Sequence, residues 1–314
     1  MTLPMGRAMR EVFGETVAAL AEDDPRVVML DGDVGSSTKG DIFERAHPER
    51  YLQMGIAEQN MLGVAAGLAT MGLIPYISTF VSFAVVRPLD QIRVLIAQTG
   101  LNVKITPGYA GLFTGRTGMS HIIVDDLAIM RAMPGMVSVA PADDVEADRV
   151  LRWAARHEGP VYVRLVRDAT QRLFDDGYEF RFGRAVTVRD GSDVTLISTG
   201  SQTPRVVDAA ELLAGDGIDA HVVHVPTIKP VDVEAIVAAA ERTGRVITIE
   251  EHTIIGGLGG VVSETLAEHR PTRVHRIGLR DLYPESGAND DLLEIYGLSA
   301  ARVAEQVRGI LAAS

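Results

Sequence analysis

The segment MGIAEQN, residues 54–60, sets one carboxylate, Glu58, where a strand-like stretch, RYLQM, gives way to an apolar helical run, MLGVAAGLATMG. The helix dipole alone favours an acid in a first turn by about 0.3–1 kcal/mol. Two readings therefore stand: a capping acid, or an acid–base group shielded from water by its apolar neighbours. YISTFVSF (76–83) adds Phe80 and Phe83, three apart after a strand, where core packing and an aromatic ligand platform are the alternatives. PGYAGLFTGRTGMSH (107–121) is a 15-residue loop with glycines at 108, 111, 115 and 118. Such a loop exposes backbone donors and admits a ligand closely. It ends on His121.

Other tempting motifs are weaker. IGGLGG (255–260) lacks the Lys-Ser/Thr of a P-loop and the G-x-G-x-x-G of a dinucleotide site, and DGDVGSS follows a strand without making that fingerprint. No two histidines stand at metal-ligand spacing; His221 and His224 read as partly packed beside a strand, and His47, His157 and His269 as solvated near helix ends.

The elements that must position these groups alternate. RVVML (26–30), LIPYIS (73–78), NVKIT (102–106), MVSVA (136–140) and VYVRLV (161–166) read as buried strands between helical segments such as VDDLAIMRAM and DDVEADRVLRWAARHEG. Pro88 suits a first helical position, and Gly100 and Gly159 suit stops. The pattern predicts an α/β fold with a mostly parallel sheet covered on both faces. It breaks over RDATQRLFDDGYEFRFGRA and resumes with DVTLIST, IDAHVVHV, RVITIE and TRVHRI. The expected organisation is two doubly wound α/β domains, 1–170 and a smaller 190–314, joined by a linker at 171–189.

The 314 residues are 46% apolar and 23% charged with a net charge of −12, which argues for a folded chain and against nucleic acid or anionic lipid as partner. Cysteine is absent, so disulfides and thiolate-held metals are excluded. No stretch approaches the ~20 apolar residues of a membrane span or the core of a signal peptide, and a cytoplasmic protein is the expectation.

The run GIAEQN…AAGLATMGLIPYISTFVSF…DQIR, then NVKI…AGLFTGRTGMSH, resembles the pyrimidine-binding domain of transketolases and deoxyxylulose-phosphate synthases. IEEHTIIGGLGGVVSETLAEH is similar to the C-terminal domain of the same enzymes. The resemblance covers nearly the whole chain and implies the C-terminal subunit of a split transketolase. The family's diphosphate and magnesium motif begins Gly-Asp-Gly. Gly215, Asp216 and Gly217 form such a triplet, but the asparagine end of the motif does not follow, and a helix-to-strand turn is the better reading.

The resemblance implies thiamine diphosphate bound between subunits, with Mg2+ (or Ca2+) held by the partner and no metal held by this chain. Glu58 would hydrogen-bond N1′ of the aminopyrimidine, which requires a carboxyl buried against a heterocycle. Phe80 and Phe83 would line the pyrimidine pocket, with Val86 where the family often has a third aromatic. His121 would face the substrate's first carbons. Arg167, Tyr109, Thr117, Arg10 and Ser37 fall at substrate-reading positions, and Asp33 at an acid near the cofactor and subunit contact. Thr117, Tyr109 and Arg116 replace an aspartate, a histidine and an acid of the family pattern, so thiamine chemistry is better supported than a pentose-phosphate substrate. For Arg167 the rival is a salt bridge with Asp168, and for Asp33 a turn-capping role.

The implied function is transfer of a two-carbon ketol unit from a ketose donor to an aldose or aldehyde, by an α2β2 heterotetramer with an N-terminal partner subunit acting on sugar-type substrates. The helix over about 57–72, with Gly63, Ala65, Ala66, Gly67 and Ala69, suits close packing on another subunit, with packing inside the chain as the alternative. Alternatives are the beta subunit of a 2-oxo acid dehydrogenase, a deoxyxylulose-phosphate-synthase-like acyl transferase and, from another class, a non-catalytic scaffold or regulatory subunit. The Phe80–Phe83 spacing favours the transketolase over the dehydrogenase, and retention of Glu58, Phe83 and His121 argues against the scaffold.

Overall fold

Strands Val27–Asp31 and Ile74–Ser78 are buried along their whole length, which explains their near-continuous apolar sequences. In the computed structural model, which describes residues 3–313, they lie inside a seven-stranded sheet. Its order is Thr227–Lys229, Val137–Val139, Val161–Val163, Lys104–Ile105, Ile74–Ser78, Val27–Asp31, Tyr51–Gln53. Every neighbouring pair is parallel except the first, which is antiparallel. The chain thus folds as two α/β units, each a mostly parallel sheet between helices.

The second sheet has five strands in the order Val274–Leu279, Val246–Thr253, Val194–Ser198, Ala220–His224, Val186–Arg189, with only the last antiparallel. Two departures from the expected organisation follow. Thr227–Lys229, late in the sequence, crosses back to edge the first sheet, where the Lys229 ammonium donates to the Arg131 carbonyl at 3.0 Å.

The expected linker also ends in a strand on each side. Ala169–Gln171 pairs with Met5–Ala8 as a ribbon, and Val186–Arg189 is a strand of the second sheet. Between them the Asp143 carboxylate accepts the backbone N–H groups of Leu173 and Phe174 at 2.6 and 2.8 Å, and the Tyr178 hydroxyl donates to Glu146 at 2.6 Å. Strands of three or four residues are too short to show a period among charged neighbours. His47 differs too: it is buried, its Nε2 against the Ala18 carbonyl at 3.0 Å and its Nδ1 against Arg50 at 2.6 Å.

Asp143 caps the helix Asp144–Arg156 through the Glu146 N–H at 2.9 Å. Gly217, at φ +79, turns the helix Thr203–Gly215 into strand Ala220–His224, as a turn reading of that triplet requires. IGGLGG opens the helix Leu258–His269, but its donors are already taken: Glu250 accepts the N–H groups of Leu258 and Gly259 at 2.6 and 2.8 Å. Among the described residues no helix is long and apolar enough to cross a membrane, and no group of three or more acidic or histidine residues is arranged to hold a metal ion.

Candidate functional site

Ligand sites of parallel α/β sheets form beyond the carboxyl ends of the strands, and the sequence-marked residues leave the first sheet there. Ser37 follows Val27–Asp31, Glu58 follows Tyr51–Gln53, Phe80 and Phe83 follow Ile74–Ser78, Tyr109 follows Lys104–Ile105, and Arg167 follows Val161–Val163. Arg10, in the helix Met9–Asp23, reaches the same edge.

Glu58 is the first residue of the helix Glu58–Thr70 and is 4% exposed. Its carboxylate accepts Arg87 Nη1 at 2.7 Å. The Arg87 guanidinium carbon lies 3.9 Å from the centre of the Phe83 ring. The Gln59 side chain donates to the Arg87 backbone carbonyl at 3.1 Å, so adjacent residues of MGIAEQN hold both ends of this arginine.

Phe83 and Phe80 also frame His121, whose ring centre is 5.0 Å from Phe83 and 5.6 Å from Phe80. On its other side Phe80 stacks on Tyr109 at 4.1 Å. Tyr109 holds φ +71, uncommon for a bulky residue. Its hydroxyl accepts from Arg10 Nη1 at 3.4 Å and donates to the Ser37 carbonyl at 3.3 Å, while the Arg167 guanidinium lies 5.5 Å over its ring. Arg10 Nε is buried without a partner, an orphan donor in a cluster holding two guanidinium groups. Arg167 also makes its rival salt bridge, 2.7 Å to Asp168, with both side chains about a third exposed.

Thr117 is bonded within its loop, Oγ1 to Thr114 Oγ1 at 2.6 Å. With Arg116, Arg167 and Asn289 it lines a cleft of about 480 Å³ between the two units. Asp33 is exposed in the left-handed region at φ +66. The last residue of strand Val27–Asp31 is a buried acid that sequence reasoning missed: the Asp31 carboxylate accepts Ser78 Oγ at 2.7 Å and the Val34 N–H at 2.9 Å and so ties down the turn that leads to Ser37.

The glycine-rich loop is fixed from the second unit. Glu251 accepts the Leu112 N–H and takes Ser201 Oγ at 2.9 Å. Gly111, at φ +63, is required beside it, because a Cβ there would collide with the Glu251 carboxylate. Below the loop Asp126 binds the Tyr162 hydroxyl at 2.5 Å and Arg164 Nε at 2.8 Å, with all three side chains buried. Burial pushes the Glu251 carboxyl up from its ordinary range, against the nearby guanidinium groups of Arg164 and Arg205.

Two family models match this chain: the transketolase pyrimidine-binding domain over residues 5–172 and the transketolase C-terminal domain over 183–303. The chain belongs to the transketolase family. It is 39% identical over 295 residues to a 6-deoxy-6-sulfo-D-fructose transketolase subunit of Clostridium sp., covering 94% of this chain and 92% of that one. It is equally 39% identical over 293 residues to an apulose-4-phosphate transketolase subunit of Phocaeicola vulgatus, covering 93% of each. A split-gene transketolase solved as an inactive beta4 tetramer superposes with a TM-score of 0.90 at 43% identity, covering 97% of this chain and 98% of that one. The chain therefore corresponds to the C-terminal section of a split transketolase, the extent over which these subunits align. Within the family match, Glu58, Phe80, Phe83, Tyr109, His121 and Arg167 all lie in the pyrimidine-binding domain, and Glu251 in the C-terminal domain.

Proposed function

We propose that this chain is the pyrimidine-side subunit of a two-component, thiamine-diphosphate-dependent transketolase, with residues 1–170 and 190–314 as its functional domains. It moves a two-carbon ketol unit from a ketose donor to an aldose or aldehyde acceptor, working in an α2β2 assembly whose other subunit holds the diphosphate through Mg2+ or Ca2+. The observation that carries this reading is the junction of a buried carboxyl and an aromatic platform: Glu58, 4% exposed, and Phe83, spanned by one flat guanidinium. A space that accepts a planar group with N–H edges fits an aminopyrimidine.

When bound, thiamine diphosphate supplies the carbon nucleophile and electron sink of ketol transfer. This chain's residues do the rest on their side of the cleft. Glu58 exchanges a proton with the ring nitrogen, and its burial keeps water from that exchange. Phe83 and Phe80 orient the ring. His121, edge-on to Phe83, gives and takes protons at substrate oxygens. Arg10, Arg167, Tyr109, Ser37 and Thr117 read the far end of the substrate, and Asp33 faces the subunit contact. Two guanidinium groups around Tyr109, one with an unpartnered buried donor, favour an anionic sugar. The names of the two relatives, a sulfo-sugar and a sugar-phosphate transketolase subunit, support the same substrate class.

A partner on the helix Glu58–Thr70 is supported by Gly63 and Gly67, where an added Cβ would meet nothing within 4 Å inside this chain. The test is co-purification with a subunit carrying the diphosphate and magnesium motif. Calorimetric titration of thiamine diphosphate and ketol-transfer assays over phosphorylated, sulfonated and uncharged ketoses then follow. Saturable cofactor binding and transfer by the pair alone are expected; tight binding of cofactor and magnesium by this chain without a partner overturns the split-site reading.

A further inference from the structure

One residue at the site has no part in that chemistry. Arg87 stacks its guanidinium 3.9 Å from the Phe83 centroid and bonds the Glu58 carboxylate at 2.7 Å. It thus fills the two contacts an aminopyrimidine would make, a ring face and a carboxyl. A guanidinium, like that ring, is planar, delocalised and edged with N–H donors. We propose that Arg87 is a placeholder for the cofactor's aminopyrimidine: its guanidinium occupies the Glu58–Phe83 platform in the cofactor-free chain and leaves when the cofactor ring enters. The inference rests on the function proposed above and adds to it that a residue of this chain sets the cofactor's affinity.

Three features favour a residue that stays during storage and departs on loading. The Arg87 side chain is 45% exposed while that of Glu58 is 4% exposed, so the arginine has a path to solvent and the acid has none. Its main chain is anchored by the Gln59 bond to its carbonyl and by Pro88 next in sequence, so the side chain can swing while the backbone stays. A carboxylate left buried without a partner is strongly unfavourable, so the placeholder keeps the empty half-site folded. Departure is also required by space, since the guanidinium and a cofactor ring cannot lie over Phe83 and against the Glu58 carboxylate together.

The affinity of a site that must first expel its own occupant is reduced by the strength of that occupant's contacts. The test uses the assembled two-chain enzyme and calorimetric titration of thiamine diphosphate in excess magnesium. Arg87→Ala is expected to tighten the cofactor about tenfold, the scale of a part-exposed ion pair joined to a cation–π contact, with Arg87→Lys in between. Unchanged or weaker binding by Arg87→Ala, with the parent pair binding normally, overturns the placeholder alone. Absence of binding by parent and variant alike overturns the functional reading and the placeholder with it.

A second readout needs neither partner nor cofactor. In the isolated chain Arg87→Ala is expected to lower the thermal midpoint by roughly 2–5 °C beside Glu58, and by much less beside Glu58→Gln. Additive effects in that double-mutant cycle show that the pair does not form in the free chain and overturn the proposal.

Discussion

The Glu251 carboxylate, on strand Val246–Thr253 of the C-terminal domain, accepts the backbone N–H of Leu112 in the glycine-rich loop of the pyrimidine-binding domain. The loop that presents Tyr109 at one end and His121 at the other is therefore shaped by a domain that supplies none of the site's aromatic or basic groups. A buried acceptor of this kind is demanding, because removing it orphans the Leu112 N–H and the Ser201 hydroxyl and leaves Arg164 and Arg205 with less compensating charge.

Glu251→Ala is expected to cost about 2–4 kcal/mol of unfolding free energy, with Glu251→Gln closer to the parent because it still offers an oxygen to Leu112. Urea unfolding of the isolated chain measures both. A cost under about 0.5 kcal/mol for the alanine variant would show that the clamp does not bear on stability.

Two neighbours in IEEHT make opposite pH demands. Burial pushes the Glu250 carboxyl up to about 7, so the folded chain keeps a proton that the unfolded chain releases near 4.5. Its stabilising contribution is full below about 4.5 and is lost as pH rises through 7. Burial pushes His252 down to about 4 from 6.5, so its contribution is full above 6.5 and lost as pH falls through 4. The neutral ring suits its surroundings, with Nδ1 donating to the Thr253 carbonyl at 2.7 Å and Nε2 accepting the Leu127 N–H at 3.2 Å. The two slopes cancel between about pH 4.5 and 6.5, each being about 1.4 kcal/mol per pH unit. Glu250→Gln should leave stability rising with pH over that window, and His252→Phe should leave it falling. Unfolding series at three pH values decide it; two parallel curves would refute the assignment.

How much of this was legible beforehand follows from range. The buried parallel strands announced themselves as apolar runs, and Glu58, Phe80, Phe83 and His121 were marked by motif and found converging. The edge strand Thr227–Lys229 was not legible, because three residues show no period and their partner, Val137–Val139, lies far away in the sequence. Asp31 reads as the last residue of a strand, and only the fold brings Ser78 to it. Arg87 carries no signal of its own in the sequence, and only the fold places the helix start at Glu58 beside it. Asp33, matched by motif, is exposed on a turn that Asp31 ties down.

The role proposed for Glu58 separates binding from chemistry. Glu58→Gln keeps the size and an oxygen for hydrogen bonding but removes the titratable proton. In the reconstituted pair kcat is expected to fall about 10²- to 10⁴-fold, the usual range for loss of a general acid–base group. The cofactor's Kd should change far less. Steady-state kinetics beside calorimetry give the split, and full activity in the glutamine variant would return Glu58 to the status of a helix-capping acid.

The substrate's anion should be read at Tyr109. Arg10 and Arg167 approach that ring from its hydroxyl and its face, and the Asp168 pairing of Arg167 is exposed enough to be exchanged for a ligand. A charge-assisted hydrogen bond contributes about 1.5–3 kcal/mol, so Arg167→Ala should raise KM for phosphorylated or sulfonated ketoses about ten- to hundredfold. Uncharged ketoses supply no anion, so their KM should scarcely move, and kcat should hold for both classes because the arginine lies away from Glu58 and Phe83. Tyr109→Phe removes the hydroxyl shared by Arg10 and Ser37 and should show a smaller change in the same direction. An equal rise in KM for charged and uncharged donors would instead make Arg167 a support for the loop, with no part in choosing the substrate.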